Sequence, residues 1–304
     1  MPHTIFPKTC IVITGPTAVG KTALSIALAQ HLKTSIISAD SRQCFREMDI
    51  GVAKPSPEQL QLVKHYFINS HSITEEVNAG MFEQYALKAV DEIFHDHDTA
   101  VMVGGTGLYI RAFCEGMDAI PAVEPGLRAV IASKYNEAGL AWLQQELREK
   151  DPDWYASGET QNPQRMMRAL EVVMATGNSI RDYQQAHTAK RNFNIIKIGL
   201  TLPRAELYKN INARVDAMIG LGLENEVRSL SGYRNLNALQ TVGYNEIFAY
   251  MDGDTGKDLA IEHIKRNTRH YAKRQLTWFN KDSAIQWFSP LDFSQLIKYL
   301  SNLV

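Results

Sequence analysis

Short apolar runs alternate with segments of helical period through the first third of the chain. Four runs read as strands, at 10–14, 35–38, 65–69 and 100–104. Between them, 21–32 and 81–95 repeat apolar residues at the three-to-four spacing of a helix with one buried face. Alternation of this kind predicts a parallel sheet flanked by helices. A fifth strand candidate, 195–201, comes only after a long interruption.

The interruption has a different texture. It opens with a linker containing Pro121 and Pro125, and then 127–138, 140–149 and 163–176 all carry apolar residues at helical spacing. Gly177 is placed to stop the last of these. The pattern predicts an all-helical insertion, residues 117–191, in a discontinuous core of 1–116 and 192–304. Beyond the fifth strand, further helices are expected at 204–221, 224–231 and 259–279.

The chemistry concentrates where strands end. Thr14-Gly15-Pro16-Thr17-Ala18-Val19-Gly20-Lys21-Thr22 lies between the first strand and the first helix. This is the context of a phosphate-binding P-loop, in which backbone amides and a helix N-terminus surround an anion. Lys21 would reach the terminal phosphate, and Thr22 would offer its hydroxyl to Mg2+. The expected fold is therefore α/β, a P-loop NTPase-like parallel sheet flanked by helices. A nucleotide hydrolase also needs a metal-organising Asp at the end of a second apolar strand. Here the fourth strand runs into Gly104-Gly105-Thr106-Gly107 instead. The second gives Asp40-Ser41-Arg42-Gln43. Asp40 suits a metal or a proton from an attacking amine or hydroxyl; an Asx turn is the other reading. Thr106 either donates to a phosphate oxygen or merely shapes a tight turn.

Composition narrows the class. The chain has 304 residues, 45% hydrophobic and 21% charged, with net charge −1. No apolar stretch approaches a membrane span, and the N-terminus lacks the features of a signal peptide. Three scattered cysteines fit neither a disulfide framework nor a zinc cluster, so a cytoplasmic location is expected. The balanced charge hides two basic clusters: Lys265, Arg266, Arg269, Lys273, Arg274 and Lys281, and Arg165, Arg168, Arg181, Lys190 and Arg191. They suit a polyanion contact or a solvated helix face.

Seven motifs in order resemble the bacterial tRNA dimethylallyltransferase family. They are Gly15 through Thr22, Ser38 through Gln43, Asp49 through Pro55, Val103 through Tyr109, Asn162 through Glu171, Val242-Gly243-Tyr244 and Tyr271 through Phe279. The resemblance implies that the P-loop (Gly15, Pro16, Thr17, Ala18, Val19, Gly20, Lys21, Thr22) holds the diphosphate of dimethylallyl diphosphate. The prenyl group would pass to the exocyclic amine of the adenosine at tRNA position 37, beside the anticodon, with Mg2+ assisting. Asp40 matches the general base, Thr106 a residue of the reacting centre, and Arg214 a cation near the diphosphate. Contacts to the tRNA anticodon stem-loop are implied for Asp40, Ser41, Arg42, Gln43, Thr106, Arg128, Gln164, Arg165, Met166, Met167 and Arg168. They are implied too for Gln240, Thr241, Val242, Gly243, Tyr244 and Asn245. A flipped-out adenosine is required, because a stacked base cannot reach a buried site. The helical insertion would clasp the anticodon arm, and the enzyme is expected to be a monomer without membrane attachment. Val52 stands where the family usually has Thr, and Cys44 and Phe45 replace aliphatic and Tyr residues. The eukaryotic relatives' C-terminal zinc finger is not seen. The competing readings are transfer to a free adenine nucleotide and a small-molecule kinase using ATP.

Overall fold

The computed structural model describes residues 8–184 and 189–303. Its centre is a six-stranded sheet, β1 (Thr9–Thr14), β2 (Ile36–Ala39), β3 (His65–Tyr66), β4 (Thr99–Gly104), β5 (Asn194–Leu200) and β6 (Gln286–Phe288). The strand order is β3-β2-β4-β1-β5-β6, and every pairing is parallel. Central β1 is buried along its whole length, as expected where helices cover both faces. Its side chains alternate between two cores. Cys10 and Val12 join Ile37, Met102 and Phe82 on one face, and Ile11 and Ile13 join Leu28, Ile198 and Leu296 on the other.

The helices that accompany the first four strands are α1 (Lys21–His31), α2 (Pro57–Leu62), α3 (Ala79–Asp96) and α4 (Gly107–Glu115). Next come α5 (Pro125–Lys150), α6 (Pro152–Ser157), α7 (Pro163–Thr176) and α8 (Ile180–Tyr183). After β5 follow α9 (Arg204–Gly220), α10 (Leu223–Ser229), α11 (Tyr244–Met251), α12 (Lys257–Phe279) and α13 (Phe293–Ser301). The backbone clusters into two compact units. One comprises the described residues up to Cys114 and from Lys190 onward, and the other runs from Glu115 to Ala189. The described regular elements of the second unit are all helices, around a core that includes Ile131, Leu143, Leu147, Met166 and Leu170. Among the described residues no helix is long and apolar enough to cross a membrane.

Local signals account for several boundaries. Gly139 at φ 72° breaks α5 where the two apolar segments met. Asn162 accepts from the Arg165 amide ahead of Pro163 to start α7, and Gly177 at φ 75° ends it. The third strand is shorter than its apolar run because Phe67 and Asn69 adopt left-handed backbone, φ 61° and 53°. The sequence pattern does not register strand β6 or helices α2, α4, α6, α8, α11 and α13. The glycines before α4 read as loop, and a three-residue edge strand carries too little pattern to register.

Candidate active site

The P-loop leaves β1 through Gly15, φ 141°, where a Cβ would sit 2.6 Å from the Leu200 carbonyl oxygen of β5. Gly20, φ 103°, caps α1. Lys21 donates to the Gly15 and Pro16 carbonyls at 3.0 and 2.8 Å, which folds its ammonium into the loop. Burial, followed by the charge of Arg214, lowers its pKa to about 7, and Asp40 opposes the shift. Arg214 reaches across from α9 to the Thr17 hydroxyl at 3.2 Å. Burial also lowers its pKa, again against Asp40.

Asp40 follows β2 and uses one carboxylate oxygen structurally. Its Oδ1 accepts from the Arg42 and Gln43 amides at 2.9 and 3.3 Å, an Asx turn. Oδ2 makes no hydrogen bond to a described residue. The two readings of Asp40 are thus compatible: one oxygen shapes the turn, and the other remains available. Thr106 is tied to the same turn, because its hydroxyl accepts from the Ser41 amide at 3.0 Å. Gly104 is required by the close approach of β2 and β4, since a Cβ there would lie 2.1 Å from the Ala39 carbonyl oxygen.

Helix α12 closes the back of this arrangement. Gln275 is buried and bridges two loops: its Oε1 accepts from the Thr17 amide at 2.8 Å, and its Nε2 donates to the Gly105 carbonyl at 2.9 Å. A Cβ on Gly105 would meet that Nε2 at 2.3 Å, and one on Gly107 would strike the Trp278 ring. Tyr271, one turn earlier, faces the cleft; burial, then the charge of Asp40, pushes its hydroxyl up to about 12.

Two cavities meet here. A tight one of about 80 Å³ is lined by Thr17, Ala18 and Gly20 to Thr22 of the P-loop, with Ser38, Gln43, Gly104 and Gly105. A larger one of about 400 Å³ is lined by Ser41, Arg42, Gly51, Gln240 to Gly243, Asn245 and Arg274. Thr17, Asp40, Val52, Ala53, Arg214 and Tyr271 line both, so Asp40 stands at their junction. The cavity at the 15–22 loop and the larger compartment therefore share one carboxylate and one guanidinium.

Several expected contacts lie elsewhere. Arg128 and the run from Gln164 to Arg168 belong to the helical unit. Gln164 and Arg165 are exposed, and Arg165 pairs with Glu159. Arg128 and Arg168 both pair with the buried Glu171, at 3.1 and 3.2 Å. Met166 is fully buried in that unit's core, Met167 packs against it, and Tyr244 is fully buried in the core of the first unit. The Met166 and Tyr244 side chains thus support the packing of their own units. Some members of the basic clusters are engaged within the fold. Arg191 is spent on Glu83 and the Phe113 and Ala112 carbonyls, and Lys265 on Asp216 and Glu262. Arg269 donates to Asn212. Lys273, Arg274 and Lys281 line an open surface hollow with His270 and Trp278.

Gln275, Tyr271 and Ala53 are site residues that motif reading left without a role. Gln275 carried a signal: it occupies a buried-face position of α12, with Ala272 and Phe279 at helical spacing around it.

A sequence model of IPP transferases matches residues 43–282. A protein of Cytophaga hutchinsonii named tRNA dimethylallyltransferase is 46% identical over 293 residues, 96% of each chain. A namesake from Christiangramia forsetii is 48% identical over 276 residues, 91% of each. The crystal structure of full-length tRNA isopentenylpyrophosphate transferase from Bacillus halodurans superposes with TM-score 0.71 at 35% identity, covering 97% of this chain and 95% of that one. A eukaryotic dimethylallyltransferase solved acting on tRNA shares the fold, with TM-score 0.74 at 24% identity over 95% of this chain and 75% of its own. With that family's sequence pattern running from Gln43 to Asp282, the chain belongs to the IPP transferase family.

Proposed function

We propose that this chain transfers a dimethylallyl group from dimethylallyl diphosphate to the exocyclic amine of adenosine 37 in a tRNA anticodon loop, releasing diphosphate. The observation that carries the reading is the junction of the two cavities at Asp40. The P-loop side takes the donor's diphosphate, and the larger side takes the flipped adenine. Because one chain builds both compartments, a monomer suffices.

The adenine amine is a weak nucleophile, its lone pair being delocalised into the purine. As its nitrogen bonds to the allylic carbon, the carbon–oxygen bond to diphosphate breaks. The amine proton goes to Asp40 Oδ2, the oxygen left open by the turn. Charge gathering on the departing diphosphate is met by the P-loop amides, by Lys21 and by Arg214. Thr106 acts through Ser41, fixing the Asp40 turn.

Among the described residues no group of three or more His, Cys, Asp or Glu side chains forms a metal cage. Mg2+ nonetheless fits, because it commonly takes most of its ligands from phosphate and water. The Thr22 hydroxyl lines the cradle without a partner among the described residues and is the protein ligand we assign to it. When bound, the ion would offset negative charge on the leaving group.

The test is to incubate the protein with labelled dimethylallyl diphosphate and Mg2+, separately with unmodified tRNA, AMP or ATP. Label in tRNA alone is expected. Label in AMP would replace the proposal with free-nucleotide prenylation, and phosphate transfer from ATP with a kinase.

A further inference from the structure

The wall shared by the two cavities is a loop tied on both sides by residues outside it. Ala53 sits in left-handed backbone at φ 49°, which costs a residue with a Cβ. Two contacts within the loop, Ala53 N to the Ile50 carbonyl at 3.0 Å and Lys54 N to the Asp49 carbonyl at 3.3 Å, are ordinary turn bonds. The firmer ties come from outside. On the cavity side the Gln43 side-chain Nε2 donates to the Val52 and Ala53 carbonyls at 3.2 and 3.1 Å. On the far side, a carboxylate from α10 gathers three successive backbone amides.

That carboxylate is Glu226. Its Oε2 accepts from the Asp49 and Ile50 amides at 3.0 and 2.7 Å, and its Oε1 from the Gly51 amide at 2.9 Å. The Tyr244 hydroxyl also donates to Oε1, at 2.6 Å. Consecutive amides curled in this way form an anion-binding nest, and here a side chain of the same protein fills it. Tyr244 opens α11, immediately after the Gln240–Gly243 segment that lines the larger cavity. Its ring lies flush on Gly51, where a Cβ would come within 2.5 Å of Cε2. One carboxylate thus joins two walls of the compartment, the 49–53 loop and the turn into α11, while lining neither cavity itself.

We propose that Glu226 is a positioning residue that sets the width of the acceptor compartment through this nest and Tyr244. The inference rests on the reading that the larger cavity receives the adenine. Charge-assisted bonds of this kind are the strong ones among hydrogen bonds. Glu226→Gln keeps the shape but replaces one acceptor oxygen by an NH2 group. With the NH2 at the Oε2 position the Asp49 and Ile50 amides lose their acceptor; at the Oε1 position the Gly51 amide loses its own, while the Tyr244 hydroxyl can turn to accept.

Two measurements on the full chain test this. Exchange of the Ile50 and Gly51 amides in the free protein is expected to quicken by about tenfold or more in Glu226→Gln. In steady-state assays the KM for tRNA is expected to rise by about tenfold, with the KM for dimethylallyl diphosphate within about twofold of the parent value. A merely structural role would instead lower the active fraction, reducing apparent kcat with both KM values unchanged. That result, or unchanged exchange at Ile50 and Gly51, would overturn the inference. Should Glu226→Gln not fold, Tyr244→Phe removes one of the four bonds and keeps the ring over Gly51; a smaller selective rise in the tRNA KM is expected, and none would overturn the inference. If the parent protein does not prenylate tRNA, the proposed function fails, and the exchange measurement alone decides whether the nest holds the loop.

Discussion

In the proposed reaction Asp40 carries two tasks on one carboxylate, and a pair of substitutions separates them. In Asp40→Asn the carbonyl oxygen can still accept from the Arg42 and Gln43 amides, so the turn persists, but the second position becomes an NH2 group that cannot take a proton. In Asp40→Ala both the turn bonds and the base are lost. Each bond contributes about 1 kcal/mol net to stability. The Ala variant should therefore lose about 2 kcal/mol, which for a domain of this size lowers Tm by about 4–8 °C. The Asn variant should melt within about 1 °C of the parent. A positioned general base contributes about 10²–10⁴ in rate, and both variants should lose kcat by that factor. Inorganic diphosphate should bind the Asn variant no more weakly than the parent, because a negative charge beside Lys21 and Arg214 has been removed. The assay is single-turnover transfer of labelled prenyl to tRNA, read beside calorimetric melting. If Asp40→Asn keeps more than about a tenth of parental kcat, Asp40 is not the proton acceptor. If it melts as low as Asp40→Ala, the turn is not held by Oδ1 as described.

Further outcomes follow from other parts of the site. Lys21, lowered to about 7 in the free protein, holds fewer protons folded than unfolded between that pH and its ordinary 10.5. The parent should therefore gain stability relative to Lys21→Met as pH rises from 7 to 9 in thermal melts; a flat difference would show that the ammonium is not desolvated. Gly104→Ala forces a Cβ against the Ala39 carbonyl oxygen and should cost about 1–3 kcal/mol or more, whereas Gly220→Ala, with open space at the end of α9, should be neutral or stabilising by up to about 1 kcal/mol in urea titrations. For tRNA binding, Arg274→Ala should reduce the slope of log K against log salt by about 0.7–0.9, and Lys265→Ala, already paired with Asp216 and Glu262, should leave it unchanged.

The local parts of this protein are legible in its sequence because local physics specifies them. Glycines at fixed offsets, an apolar run before them and a helix after them suffice for a phosphate cradle, and β1 and α1 form as that pattern requires. Alternating strands and helices restrict the sheet to parallel pairing, since antiparallel neighbours would not need intervening helices. The Pro-started, Gly-stopped α7 is specified by its own caps. Strand β3 ends early because backbone at Phe67 and Asn69 turns left-handed, a demand of the surrounding packing that an apolar run does not reveal.

The working geometry was decided by contacts between residues far apart in the chain. Gln275 binds the Thr17 amide 258 positions away, Glu226 reaches Gly51 across 175, and Arg214 reaches Thr17 across 197. No periodicity encodes such pairs, because they exist only once the strand order has set which loops share an end of the sheet. The same holds for charge: composition counts Arg191 and Lys265 among free cations, and only the fold brings Glu83 and Asp216 against them. Residue types and spacing determine what chemistry the chain can hold. Long-range packing decides which oxygen of Asp40 is left open to use it.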